Sequence, residues 1–300
     1  MTIDSRENSQ EPRNPTGTVY FIGAGPGDPD LITVRGRTLI ERCPVCLFAG
    51  SLVPRAVVAH APPGAIVRNT ASLHLDQIVG LMVDAAARGQ DVARVHSGDP
   101  GLYGAIAEQM RRLEERGVPC EVVPGVSSFQ AAAAALKIEL TPAGKNQTVI
   151  LTRAPGQTGR PGHEDLADLA RHRTGMCLFL SAAQMPAVVA ALLPHYGPDA
   201  PVVVAERVGW PDQRFLHAPL AEVARRMAEA DITRTALVLI GPMLDDAPPA
   251  ASRLYDKSYG HVFRKARPEE EDLTAEDAED AEKKTERKTG ERKTEERKTE

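Results

Sequence analysis

The stretch from Val92 to Gly104, VARVHSGDPGLYG, restricts the architecture of this 300-residue chain more than any other. Val92, Ala93 and Val95 form the short apolar run that a buried strand carries. Gly98 and Gly101 let the backbone turn sharply and approach a neighbour with no Cβ in the way. Beyond the turn, Leu102, Ile106, Met110 and Leu113 recur at helical spacing, which predicts a helix with one apolar face. Asp99 stands where an N-cap would, with Pro100 at the first helical position. Strand, glycine turn and helix make the repeating unit of a parallel sheet, whose strand-end loops open onto the ligand crevice. Read alone, the turn fits a ligand loop and a plain strand-to-helix connection equally well, because short glycine motifs are common.

Three further junctions of this kind occupy the first half. The β-branched and aromatic run Thr18–Gly23 predicts a strand that enters Gly23-Ala24-Gly25-Pro26-Gly27-Asp28-Pro29. Its glycine spacing is not that of the dinucleotide fingerprint, and Pro26 and Pro29 stiffen the loop. Asp28 is positioned to cap a helix from Pro29 to about Glu41. Strand Val45–Phe48 runs into Ala49-Gly50-Ser51-Leu52-Val53-Pro54, and a helix is expected over Leu75–Ala87. Strand Glu121–Val123 ends in Pro124-Gly125-Val126-Ser127-Ser128, where either serine would cap helix Phe129–Leu136. One such loop is a turn; four at one sheet edge describe a pocket.

Leu140–Gln147, with Pro142 and Gly144, reads as a linker. A second unit follows, with strands Thr148–Thr152, Met176–Leu180, Pro201–Ala205, Gln213–His217 and Ala236–Ile240. An irregular Arg153–Gly162 loop and helices Glu164–Arg171, Gln184–Leu193 and Leu220–Glu229 connect them. The turn at Trp210-Pro211-Asp212 makes part of this sheet antiparallel. The expected class is α/β, with a mostly parallel sheet in an N-terminal domain (17–140) and a mixed sheet in a C-terminal domain (141–246). A flexible leader (1–16) precedes them. An extension (247–266) follows, whose Tyr255, Tyr259, His261 and Phe263 would dock on the body, and then a disordered tail (267–300).

Charge narrows the partners. The tail holds 14 of the 41 acidic and 9 of the 36 basic residues, so the rest of the chain carries 27 of each and is neutral. A neutral body offers no electrostatic footing for nucleic acid. No apolar run approaches the roughly 18 residues of a spanning helix. Met1–Pro15 lacks the apolar core of a signal peptide, so no membrane partner and a cytoplasmic location are expected. Cys43 and Cys46 have redox-motif spacing, but no second pair accompanies them, so no metal site is expected and burial near a strand is the simpler reading.

The glycine motifs in this order resemble the tetrapyrrole (corrin and porphyrin) methyltransferases over about residues 17–264. The segments that carry the resemblance are Val19–Pro29, Ser97-Gly98-Asp99-Pro100 and Val123–Ser128. Phe48–Val53, Gln147–Arg153, Phe179-Leu180-Ser181 and Ser252–Asp256 are similar to the precorrin-4 C11-methyltransferase branch of cobalamin synthesis. The resemblance implies a homodimeric enzyme of two α/β domains that binds S-adenosylmethionine in the cleft between them. It assigns Pro26, Ser97, Gly98, Asp99, Leu102, Tyr103, Ser127 and Ser128 to the cofactor from the first domain, and Leu180, Val208 and Ala236 from the second. Ala205-Glu206-Arg207-Val208 departs from the branch pattern, which has tyrosine before the arginine and alanine after it.

The implied substrate is a polycarboxylate macrocycle, metal-free or cobalt-bearing. Arg35, Arg153 and Arg207 near loop edges are candidates for its carboxylates, because arginine binds them bidentately. No general base stands out; His74, His96 and Tyr103 are possible, and Ser51 and Tyr103 are the candidates nearest to a catalytic role. Rival readings are a methyltransferase for another precorrin, a nicotinamide-dependent oxidoreductase and a non-catalytic scaffold.

Overall fold

The computed structural model describes residues 17–155, 161, 163–252, 254, 256 and 258–266. The expectations for the leader, the tail, most of the loop after Arg153, and Tyr255 fall outside the described residues. The chain divides into two units, the first ending at Pro248.

The first unit contains two five-stranded sheets. One is built from β1 (Val19–Gly23), β2 (Val45–Phe48), β3 (Ile66–Asn69), β4 (Val92–His96) and β5 (Cys120–Val123), ordered β3-β2-β4-β1-β5 with all strands parallel. The three inner strands are buried along their whole length. Helices α1 (Val34–Arg42), α2 (Arg55–Val58), α3 (Leu75–Ala87), α4 (Ile106–Glu114) and α5 (Ser128–Leu136) link the strands. Tyr20, Ile22 and Phe48 pack with Leu39 and Ile40 on one face, and Phe21 and Leu47 with Met82 and Leu113 on the other. Continuous apolar strands are what two covered faces demand.

The other sheet has β6 (Val149–Arg153), β7 (Gly175–Phe179), β8 (Pro201–Glu206), β9 (Arg214–Pro219) and β10 (Ala236–Ile240), ordered β6-β7-β10-β8-β9. Only β6 and β7 pair in parallel, so the sheet is mixed as expected. Its outer face packs Leu178, Val204 and Val238 against α6 (Leu166–Ala170), α7 (Met185–Tyr196) and α8 (Leu220–Glu229). Its inner face receives Ala131 and Ala132 of α5 against Cys177, Leu237 and Leu239. Alanines permit this close approach, and it brings the loop before α5 to the edge of the second sheet.

Several local expectations change. The helix expected from Pro29 to Glu41 is a 3-10 turn (Pro29–Leu31) followed by α1, because Ile32 and Thr33 are extended. The Thr33 hydroxyl accepts from Gly36 N at 3.1 Å and restarts the helix. β3 and α2 carry no clear periodic signal: β3 is a four-residue edge strand exposed at every position.

In the second unit, described through residue 266, His261 and Arg264 bridge a tight turn with Val262 and Phe263 exposed at its tip. The Arg264 guanidinium gathers the carbonyls of Leu254, Asp256 and Tyr259 at 2.6, 2.9 and 3.2 Å.

Candidate active site

The carboxyl ends of β1, β4 and β5 meet backbone on backbone. Gly98 N donates to Gly25 O at 2.7 Å and Gly25 N returns a bond to Gly98 O at 3.3 Å. A Cβ on Gly125 would lie 2.2 Å from Gly98 O, and one on Gly23 would lie 2.5 Å from Gly125 Cα, so neither position accepts a side chain. Asp99 locks this stack: Oδ1 accepts from Gly101 N at 2.8 Å and Oδ2 from Gly125 N at 2.9 Å. Asp99 is therefore not the N-cap of α4. The helix begins only at Ile106, after Ala105 at φ 50°, so Pro100 and Leu102 belong to the turn. The two carboxylate oxygens are engaged by the turn and by the neighbouring loop instead. Ser127 caps α5, and Gln130 Oε1 accepts from its N–H at 2.9 Å.

Beside these loops lies a cavity of about 500 Å³. Its walls include Pro26, Ser97, Gly98, Asp99, Leu102, Tyr103, Ser127 and Ser128 from the first sheet's loops. Leu180, Val208 and Ala236 come from the second sheet's side. Arg207 lines it too, but its Nε donates to Asp212 Oδ1 at 2.8 Å and its guanidinium stacks 4.1 Å from the Trp210 ring centre. Arg35, Arg153 and Ser51 are not among the lining residues. Arg35 is exposed and paired with Glu121 at 2.6 Å, Arg153 ends β6, and Ser51 is exposed between the lining residues Ala49 and Leu52. His74 caps α3 on the surface, away from the cavity.

Tyr103 and Leu180 sit at φ 56° and 52°, a region that bulky residues rarely adopt, and both stay exposed, 43% and 61%. Backbone strain of this kind collects at ligand-binding sites. Tyr103 packs against Phe179, ring centres 5.1 Å apart and planes tilted by 43°. Burial pushes the Tyr103 hydroxyl above its ordinary pKa, with Arg153 working against the shift, so it stays protonated at neutral pH. Ser181, fully buried, holds the Leu180 turn: its Oγ accepts from Ala154 N at 2.8 Å and donates to Phe179 O at 2.7 Å.

Several lining residues had no assigned place in the site from sequence, Trp210, Phe179, Arg94 and Gln109 among them. Trp210 closes over the first loop so tightly that a Cβ on Gly27 would lie 2.3 Å from its Cδ1. Phe179 supplies the aromatic wall. Arg94 and Gln109 form part of the floor, Arg94 Nε donating to Gln109 Oε1 at 3.2 Å. A cation in the middle of a buried strand was the one available signal for Arg94. His96 lies beside them; burial and the Arg94 charge pull its pKa down to about 3, so it is neutral at physiological pH and a feeble base. Among the described residues no helix is long and apolar enough to cross a membrane, and no acid, histidine and cysteine side chains group as metal ligands.

Residues 18–224 match the family model described as Tetrapyrrole (Corrin/Porphyrin) Methylases. The precorrin-4 C(11)-methyltransferase of Pseudomonas aeruginosa is 52% identical over 82% of this chain and 98% of that protein. A solved cobalt precorrin-4 methyltransferase superposes with a TM-score of 0.74 at 45% identity, covering 76% of this chain and 96% of its own. A Thermus thermophilus uroporphyrin-III C-methyltransferase, solved with S-adenosylhomocysteine, gives a TM-score of 0.65 at 29% identity over 77% and 97% of the two chains. The loops, the two sheets and these matches agree, and the chain belongs to the tetrapyrrole methylase family.

Proposed function

We propose that this chain transfers the methyl group of S-adenosylmethionine to carbon 11 of precorrin-4, or of its cobalt-bearing form, in cobalamin biosynthesis, acting as a homodimer. One observation carries the reading: a single cavity is lined by every residue that the family resemblance assigns to the cofactor. The lining suits such a group. Gly98 presents bare backbone, with the nearest atom to an added Cβ 3.7 Å away, and Leu102, Leu180, Val208 and Ala236 offer apolar walls. Its volume falls within the ordinary range for small-molecule sites, roughly 300–1,000 Å³.

Bound there, the sulfonium cofactor supplies an electrophilic methyl group. The chain's own residues then have to orient and to exclude water. The stacked glycine loops and the Asp99 lock hold a rigid edge, Trp210 and Arg207 cover one side, and Tyr103 and Phe179 cover another. Alignment of this kind is worth about 7–11 kcal/mol at most. A strong base is unnecessary, in keeping with a neutral His96 and a protonated Tyr103.

The test is calorimetric titration with S-adenosylhomocysteine, followed by incubation with precorrin-4 and methyl-labelled cofactor. Micromolar binding and a product methylated at carbon 11 are expected. Absence of binding at millimolar ligand overturns the reading, and methylation at another carbon moves it to a different precorrin.

A further inference from the structure

The floor of the cavity holds an unusual pair. Arg94 is 4% exposed on the central strand β4, and its hydrogen-bond partners are all neutral. Nε reaches Gln109 Oε1 at 3.2 Å, and Nη1 reaches Thr70 Oγ1 at 3.1 Å and Leu47 O at 3.5 Å. Nη2 makes no hydrogen bond, and no carboxylate pairs with the guanidinium, among the described residues. Burial lowers the Arg94 pKa only to about 10, so the group remains a cation at neutral pH.

Two residues on, and so on the same face of the strand, His96 also lines the cavity. Its Nε2 is buried without any hydrogen-bond partner. A buried cation without a counter-ion and an orphaned buried imidazole nitrogen are each unfavourable, and native proteins seldom keep either without a use. Both residues line one cavity, and a single ligand chemistry relieves both.

We propose that Arg94 and His96 form a carboxylate-binding floor: one carboxylate of a bound reactant accepts from Arg94 Nη2 and from the His96 ring N–H. This rests on the methyltransferase reading above. Gln109 and Thr70 act as positioning residues that hold the guanidinium plane, since they occupy Nε and Nη1 and leave the other edge free. Two reactants carry such a group: the macrocycle with its acid side chains, and the cofactor with its amino-acid end.

The experiment compares the parent with His96→Phe, which keeps a ring but removes both nitrogens, and Arg94→Lys, which keeps the charge but loses the planar fork. Three probes are titrated: S-adenosylhomocysteine, 5′-methylthioadenosine, which lacks the amino-acid end, and uroporphyrin, a macrocycle bearing only carboxylate side chains. Loss of a hydrogen bond to a charged group corresponds to about tenfold or more in affinity. If the floor takes a macrocycle carboxylate, both variants weaken uroporphyrin about tenfold and leave S-adenosylhomocysteine unchanged. If it takes the cofactor's carboxylate, S-adenosylhomocysteine weakens and 5′-methylthioadenosine does not. Should Arg94→Lys fail to fold, His96→Phe decides alone. Unchanged affinities for all probes in a folded variant overturn the proposal. A parent that binds no probe instead overturns the methyltransferase reading, and this proposal with it.

Discussion

The Asp99 carboxylate reaches from the β4 loop to the β5 loop and accepts the Gly125 N–H at 2.9 Å while holding Gly101 N–H at 2.8 Å. Its role is thus to join two loops, and cavity shape and loop stability depend on the same side chain.

Asp99→Asn offers one acceptor where two are needed and turns an NH2 toward one of the backbone donors. We expect a loss of about 1–3 kcal/mol in unfolding free energy together with weaker S-adenosylhomocysteine binding. Urea unfolding and calorimetry on the same preparation check this. Weaker binding with an unmoved urea midpoint would instead mark Asp99 as a ligand contact with no clamping function.

Gly27→Ala places a methyl 2.3 Å from Trp210 Cδ1 and should displace the indole from the cavity wall. Overpacking of this sort costs about 1–3 kcal/mol. Combined with Trp210→Ala, the glycine substitution should cost less, since the clash has gone and only the strain of a side chain at φ 157° remains. A double-mutant cycle measures this coupling, and additive effects would rule out the contact.

Ser181→Ala removes the partner of the buried Ala154 N–H and of Phe179 O. An unsatisfied buried group costs about 1–3 kcal/mol. Because Ser181 fixes the turn at Leu180, cofactor affinity should drop as well. Thermal melting with and without S-adenosylhomocysteine reads both, and a normal ligand-induced shift in the variant would argue against the coupling.

The depressed His96 pKa has a pH signature. Folded His96 titrates near 3, against 6.5 for an unperturbed imidazole, so between those values the unfolded chain binds the extra proton. Its contribution is complete above about pH 6.5 and declines as pH falls toward 3, at a limiting slope of about 1.4 kcal/mol per pH unit. His96→Phe should therefore lose less stability than the parent between pH 6.5 and 5, a window chosen above the main carboxylate range. Parallel urea-midpoint slopes in the two proteins would refute the assignment.

Much of this architecture was legible from local pattern. Strand β2, helices α3 and α8 and strand β10 coincide with their expected limits, because uninterrupted apolar runs and 3.6-residue periodicity report burial directly. The glycine loops were legible as well, since few residues tolerate their close backbone packing. Where the sequence misled, it was through local rules applied to groups with distant partners. Asp99-Pro100 has the form of a helix start, yet the carboxylate is claimed by Gly125, 26 positions away.

What the sequence by itself determined was the alternation of strands and helices, the mixed character of the second sheet and the family. Each follows from patterns that a short window contains. The tertiary structure alone decided which further side chains join the cavity: Trp210 over Gly27, Phe179 on Tyr103, and Arg94 beside His96 with no carboxylate paired to it among the described residues. The reason is physical. Periodicity tells which face of an element is buried but not what buries it, and a site assembled by two sheets exists only after α5 has packed one against the other.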